Sequence, residues 1–221
     1  MLTHGLFTLI GILSGLLINF CIGKMQREKP LWKWQPALVV LLTTVVALAS
    51  SLVFPFSDAP ITTVLAFIFC ATLVAVTFID FEFRIIPDKI TLPGIIIGLA
   101  LGVVSEFFYK LHFPFTQGIF DSLIGTVVGA GLPLLFILLY YMITKNIGFG
   151  LGDVKLLGLF GAWLGWYAVF PIFLVSSVLG SVFGIAYMLI AKKDRRTEIP
   201  FGPYLALGAI VYLFWLTRVN L

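Results

Sequence analysis

Ile61-Thr62-Thr63-Val64-Leu65-Ala66-Phe67-Ile68-Phe69-Cys70-Ala71-Thr72-Leu73-Val74-Ala75-Val76-Thr77-Phe78-Ile79 runs for nineteen residues without a charge. Asp80-Phe81-Glu82-Phe83-Arg84 follows at once. A run of roughly 20 apolar residues matches the hydrocarbon thickness of a bilayer, so this stretch predicts a spanning helix whose charged end leaves the lipid. Seven more such runs flank it: Leu6–Gly23, Pro36–Phe54, Ile90–Phe108, Gly118–Thr144, Leu156–Val169, Ile172–Ala191 and Tyr204–Thr217. The whole chain agrees. Its 221 residues are 61% hydrophobic and only 11% charged, with mean hydropathy +1.12. A soluble domain carries about 25% charged residues, so a soluble enzyme, a disordered chain and a nucleic-acid-binding domain are excluded. The expectation is an all-α polytopic membrane protein: one domain over residues 1–221, a bundle of about eight transmembrane helices in a lipid bilayer. Met1-Leu2-Thr3-His4 lacks the basic start of a secretory signal, so the first run is expected to stay as a span.

The cations test this segmentation. Lys24, Arg27, Lys29 and Lys33 fall on the first loop, Arg84 and Lys89 on the third, Lys145 and Lys155 at the fifth, and Lys192, Lys193, Arg195 and Arg196 on the seventh. Twelve of the fourteen basic residues therefore share one side; Lys110 and Arg218 fall on the other. The positive-inside rule places that basic side in the cytoplasm and both termini outside it. The same rule accounts for the net charge of +4 without a nucleic-acid partner. Cys21 and Cys70 each sit inside an apolar run with no second cysteine nearby, which favours neither a metal knuckle nor a disulfide framework.

The ten acids sort by position. Glu28, Asp194 and Glu198 lie beside loop cations, Asp58 in an external turn, and Glu106 and Asp121 beside the fourth loop, where solvation at the interface is the simpler account. Asp80, Glu82, Asp88 and Asp153 all lie at helix ends on the cytoplasmic side. Asp88 and Asp153 stand where a helix begins and can serve as caps. Asp80 stands where one ends, and there the helix dipole disfavours an anion. Two carboxylates at one membrane depth can share a proton, one activating water while the other polarises a carbonyl. Gly150 and Gly152, beside Asp153, would allow a tight turn and close approach to an extended peptide.

Gly150-Leu151-Gly152-Asp153 is the GxGD motif of intramembrane aspartyl proteases. Its continuation, Val154-Lys155-Leu156-Leu157-Gly158-Leu159-Phe160-Gly161-Ala162-Trp163, resembles the type IV prepilin peptidases. Asp80, followed six residues later by Ile86-Pro87-Asp88, resembles that family's other aspartate block. Ile199-Pro200-Phe201-Gly202-Pro203-Tyr204 resembles a third segment, with Pro200 and Gly202 as candidate loop-shaping residues. The resemblance covers roughly Ile61 to the C-terminus. It implies a bacterial inner-membrane aspartic endopeptidase with Asp80 and Asp153 as the catalytic pair. It also implies substrates of prepilin or pseudopilin type, with a basic cytoplasmic leader, a Gly at the cleavage point and an apolar helix in the membrane. Glu82 and Asp88 could then attract the leader, or could serve as helix caps and partners of Arg84 or Lys89.

One feature departs from the family. Many members have a large first cytoplasmic loop with four zinc-binding cysteines, and they methylate the new N-terminus with S-adenosylmethionine. Here the first loop is only residues 24–35 and has no cysteine. A compact, peptidase-only member without metal or cofactor is expected, with S-adenosylmethionine needed only if methylation is retained. Two rivals stand beside this. A presenilin-like protease shares GxGD, but Pro36-Ala37-Leu38 precedes both aspartates instead of following them. A proton-coupled transporter would use the same acids as a relay, nearer the bilayer centre.

Overall fold

The computed structural model describes residues 2–25, 33–54, 60–107, 115–145, 150–191 and 200–219. Among the described residues eight helices follow one another: α1 (Leu2–Met25), α2 (Gln35–Val53), α3 (Pro60–Phe83), α4 (Asp88–Phe107), α5 (Ile119–Thr144), α6 (Leu151–Leu164), α7 (Trp166–Ala191) and α8 (Gly202–Val219). No strand occurs among the described residues. Six helices are long and apolar enough to cross a membrane, and α6 and α8 are the other two. Most of the loop at 24–35 lies outside the described residues, as does Ile199.

The bundle is built around α3 and α6. In α3, 61% of the apolar window is buried, against 22–33% in the other five long helices. In α6 every residue from Asp153 to Leu164 is buried except Lys155, which is half-buried. The outer helices turn Leu, Ile and Phe outward, as a lipid-facing surface requires. Phe69 of α3 meets Phe160 and Trp163 of α6, with ring centroids 5.8 and 5.4 Å apart. Such aromatic pairs add about 0.5–1.5 kcal/mol beyond their buried area. Helix α8 packs against both α3 and α6. Helix α6 also packs on α4, α5 and α7.

Small residues bring α5 and α6 backbone to backbone. A β-carbon on Gly161 would collide with the Gly125 carbonyl, and one on Gly129 with the Leu157 carbonyl. Close approach of this kind lets helices associate where lipid removes the hydrophobic driving force. Polar atoms stitch α4, α5 and α6 together. The Ser122 hydroxyl donates to the Ala162 carbonyl at 2.7 Å and to the Gly98 carbonyl at 3.1 Å, and Trp163 Nε1 donates to the Gly94 carbonyl at 2.8 Å.

Two expectations need correction here. The sixth apolar run, Leu156–Val169, is not one helix. The chain breaks at Gly165, which has φ +78°, and α7 continues through Pro171. Proline inside a helix is tolerated in a bundle where neighbours satisfy the freed carbonyl, whereas a left-handed φ reverses the chain. Asp121 fixes the break. Its carboxylate accepts from Trp166 N at 3.3 Å, from Gln117 N at 3.1 Å and from Thr116 Oγ1 at 3.3 Å. Glu106 accepts from Ile119 N at 2.9 Å. These two acids are chain-reversal and cap ligands as well as interface residues.

Candidate active site

The site forms where α3 ends and α6 and α8 begin. Asp80 lies in the last turn of α3. The helix stops when Arg84 enters the left-handed region at φ 54°, with its N–H still donating to the Asp80 carbonyl at 2.9 Å. Residues 85–87 form a short link outside any helix, and α4 starts at Asp88. Asp153 is the third residue of α6, whose N-cap is Gly150. Both carboxylates line one cavity of about 250 Å³, together with Arg84, Ile85, Ile86, Asp88, Gly150, Leu151 and Gly152.

Both aspartates are nearly buried, at 5% exposure for Asp80 and 8% for Asp153. The main-chain N–H of Gly202, the first residue of α8, donates to Asp80 Oδ2 at 3.0 Å. A β-carbon on Gly202 would lie 2.7 Å from that oxygen, so a side chain there would have to displace the Asp80 carboxylate. Asp153, ahead of the apolar run of α6, is held well above the usual carboxylate range, at about 7. Burial is the main cause and the neighbouring Asp80 charge the second. An acid that keeps its proton near neutrality, beside a second carboxylate, is what general acid–base chemistry on an amide requires.

The structure places the other sequence candidates unevenly. Gly150 and Gly152 line the cavity, but for a different reason from the tight turn expected. Gly150 has φ −76°, open to any residue. Gly152 is helical, and a β-carbon there would lie 3.0 Å from Ile86 Cβ. Close approach, not the turn, is what glycine provides at 152. The N-cap of α6 is Gly150, so no side-chain cap bond closes that helix end. Asp88 lines the cavity, and its partner is Lys155, at 2.6 Å, in place of the expected Arg84 or Lys89. Glu82 lies outside the cavity lining and accepts from Gln35 Nε2 of α2 at 3.0 Å. Pro200 also lies outside the lining. Sequence reasoning missed Ile86, which is buried and sits against both Gly152 and the Gly202 position. Its place beside Pro87-Asp88 in the aspartate block was the only signal available.

A bundle of apolar helices closing two buried carboxylates into one cavity at its end defines a membrane protein with a paired-aspartate site. The chain belongs to the type IV leader peptidase family, whose model matches residues 67–185. It is 38% identical over 181 residues to the prepilin leader peptidase/N-methyltransferase of Legionella pneumophila, covering 80% of this chain and 58% of that protein. It is 36% identical over 196 residues to the protein of the same name from Xanthomonas campestris pv. campestris, covering 86% and 64%. The Aeromonas salmonicida protein of that name is 35% identical over 153 residues, covering 69% and 50%. The chain thus spans about half to two thirds of the relatives it matches. No solved structure matches it.

Proposed function

We propose that the chain is an aspartic endopeptidase that removes the basic leader from type IV prepilins or type II secretion pseudopilins. The observation that carries this is the single cavity shared by Asp80 and Asp153 at one end of the bundle. With one proton between them, the ionised carboxylate takes a proton from water as its oxygen attacks the scissile carbonyl. The protonated carboxyl donates to the carbonyl oxygen, giving a tetrahedral diol. Collapse of the diol breaks the C–N bond, and the leaving amine takes up a proton. The pair supplies both base and acid, so the reading needs neither metal nor cofactor, and it assigns cleavage alone to this chain.

The active-site end is assigned to the cytoplasmic face of the bacterial inner membrane. Support comes from Arg84, Lys89, Lys145 and Lys155, which lie at the same helix ends as the two aspartates, as the positive-inside rule requires. A cytoplasmic leader would then meet the dyad where its chain enters the bilayer. The relatives' name also includes methyl transfer, and one experiment separates the two activities. The chain is incubated in liposomes with a prepilin precursor and S-adenosylmethionine, and the product's N-terminal mass is read. Leader loss without an added methyl is expected. A precursor left uncut by this chain, but cut by a relative in a parallel reaction, contradicts the proposal.

A further inference from the structure

The two carboxylates share a cavity but not an environment. Asp80 Oδ2 accepts the Gly202 N–H at 3.0 Å, at the first residue of an 18-residue helix. That N–H has no partner within its own helix, and the α8 dipole directs positive charge at the same oxygen. A donor and a helix dipole aimed at this oxygen favour the ionised form of Asp80. Asp153 has no such donor: among the described residues no hydrogen bond reaches its carboxyl group, whose near neighbours are Gly150 and the Asp80 charge.

The two other acids nearby, Asp88 and Glu82, have partners on other helices. Arg84 and Asp88 line the cavity from the α3–α4 link. Asp88 is neutralised by Lys155 of α6 at 2.6 Å. Glu82 is turned to Gln35 of α2. On α8, Tyr204 stacks on Phe183 of α7, with ring centroids 6.2 Å apart.

The geometry points to a fixed division of labour, in which the Gly202 N–H holds Asp80 as the carboxylate that takes the proton from water, while Asp153 carries the proton given to the scissile carbonyl. Gly202 is then a positioning residue for the chemistry, acting through Asp80. This rests on the peptidase reading above, since it assigns roles within that dyad. The first residue of α8 thereby takes part in the chemistry and not only in starting a helix. The absence of a side chain at 202 is what lets the N–H come within bonding distance of the carboxylate.

Infrared difference spectra of the full chain in lipid bilayers test the division without needing a substrate. Spectra are taken near pH 6 as wild type minus Asp153→Asn and wild type minus Asp80→Asn. The protonated-carboxyl C=O band is expected only in the first difference, and a carboxylate band only in the second. The reverse pattern, or equal protonated bands in both, overturns the assignment. In parallel, Gly202→Ala should lower kcat for leader cleavage with KM little changed and folded yield retained. Wild-type kcat in that variant overturns the role of Gly202. If Gly202→Ala fails to fold, the two Asn spectra decide. Cleavage by either Asn variant would instead sink the dyad itself, a different failure from a reversed band pattern.

Discussion

Lys155 Nζ lies 2.6 Å from Asp88 Oδ1, tying the first turn of α6 to the first residue of α4 at the mouth of the cavity. This pair brings the loop that follows Asp80 against the helix that carries Asp153. Both side chains are substantially exposed, at 36% and 56%. An exposed pair of this kind is worth about 0.2–1 kcal/mol. Asp88→Asn should therefore lower stability by no more than that and retain at least part of the cleavage activity, as judged by melting and leader removal. Complete loss of cleavage with the fold intact would place Asp88 in the chemistry.

The α5–α6 seam makes a sharper structural prediction. A side chain at Gly161 would drive into the Gly125 carbonyl, and backbone cannot move aside as a side-chain tip can. Overpacking typically costs about 1–3 kcal/mol, and Gly161→Ala should fall at the upper end or beyond. Gly131, on the same α5 helix, has nothing within 4 Å of its β-carbon position, so Gly131→Ala should leave the melting temperature unchanged or slightly raised. Equal melting of the two variants would contradict the observed packing.

Asp153 links stability to pH with a definite sign. Its folded-state value of about 7 lies above the ordinary 3.8. Between those values the folded chain keeps a proton that the unfolded chain has released, so stability falls as pH rises through that window. Asp153→Asn removes its part of the slope. The melting temperature of the variant relative to wild type should rise progressively from about pH 4 to about pH 7 and level off above that. A gap that is flat across this range would mean that Asp153 ionises normally.

The two cysteines carry no role in this account. Cys70 is buried in α3 and Cys21 is exposed on α1, away from the cavity lining. Replacing both with Ala should leave leader cleavage intact, at a cost of about 1 kcal/mol for the atom lost at Cys70. Loss of cleavage in a folded double variant would reveal thiol chemistry that the paired-aspartate mechanism does not contain.

The periodicity-free apolar runs made the helices legible, because a bilayer demands length and low charge and both are read directly from sequence. The break at Gly165 was not legible. Pro171 is the more obvious helix breaker, and the residue that stabilises the true break, Asp121, lies 44 positions earlier on α5. Asp80 stood out because an anion at a helix C-terminus goes against local preference, and Asp153 because of its motif. Their shared cavity was not legible, since nothing local joins residue 80 to residue 153. Glu82 was a candidate by charge and position, and Asp88 also by its place in the aspartate block. The structure separates them by partner, Gln35 for one and Lys155 for the other, and those partners come from different helices. Ile86 was hidden because a single apolar residue in a short link carries no period.

The central claim is that Asp80 and Asp153 together cut a leader from a membrane-anchored precursor. The most direct measurement is co-expression of the wild type, Asp80→Asn and Asp153→Asn with a prepilin precursor, reading the precursor-to-product ratio by N-terminal mass alongside the amount of protein in the membrane. The account predicts complete processing by the wild type and none by either variant, with all three present at similar levels. Full processing by either Asn variant would contradict it.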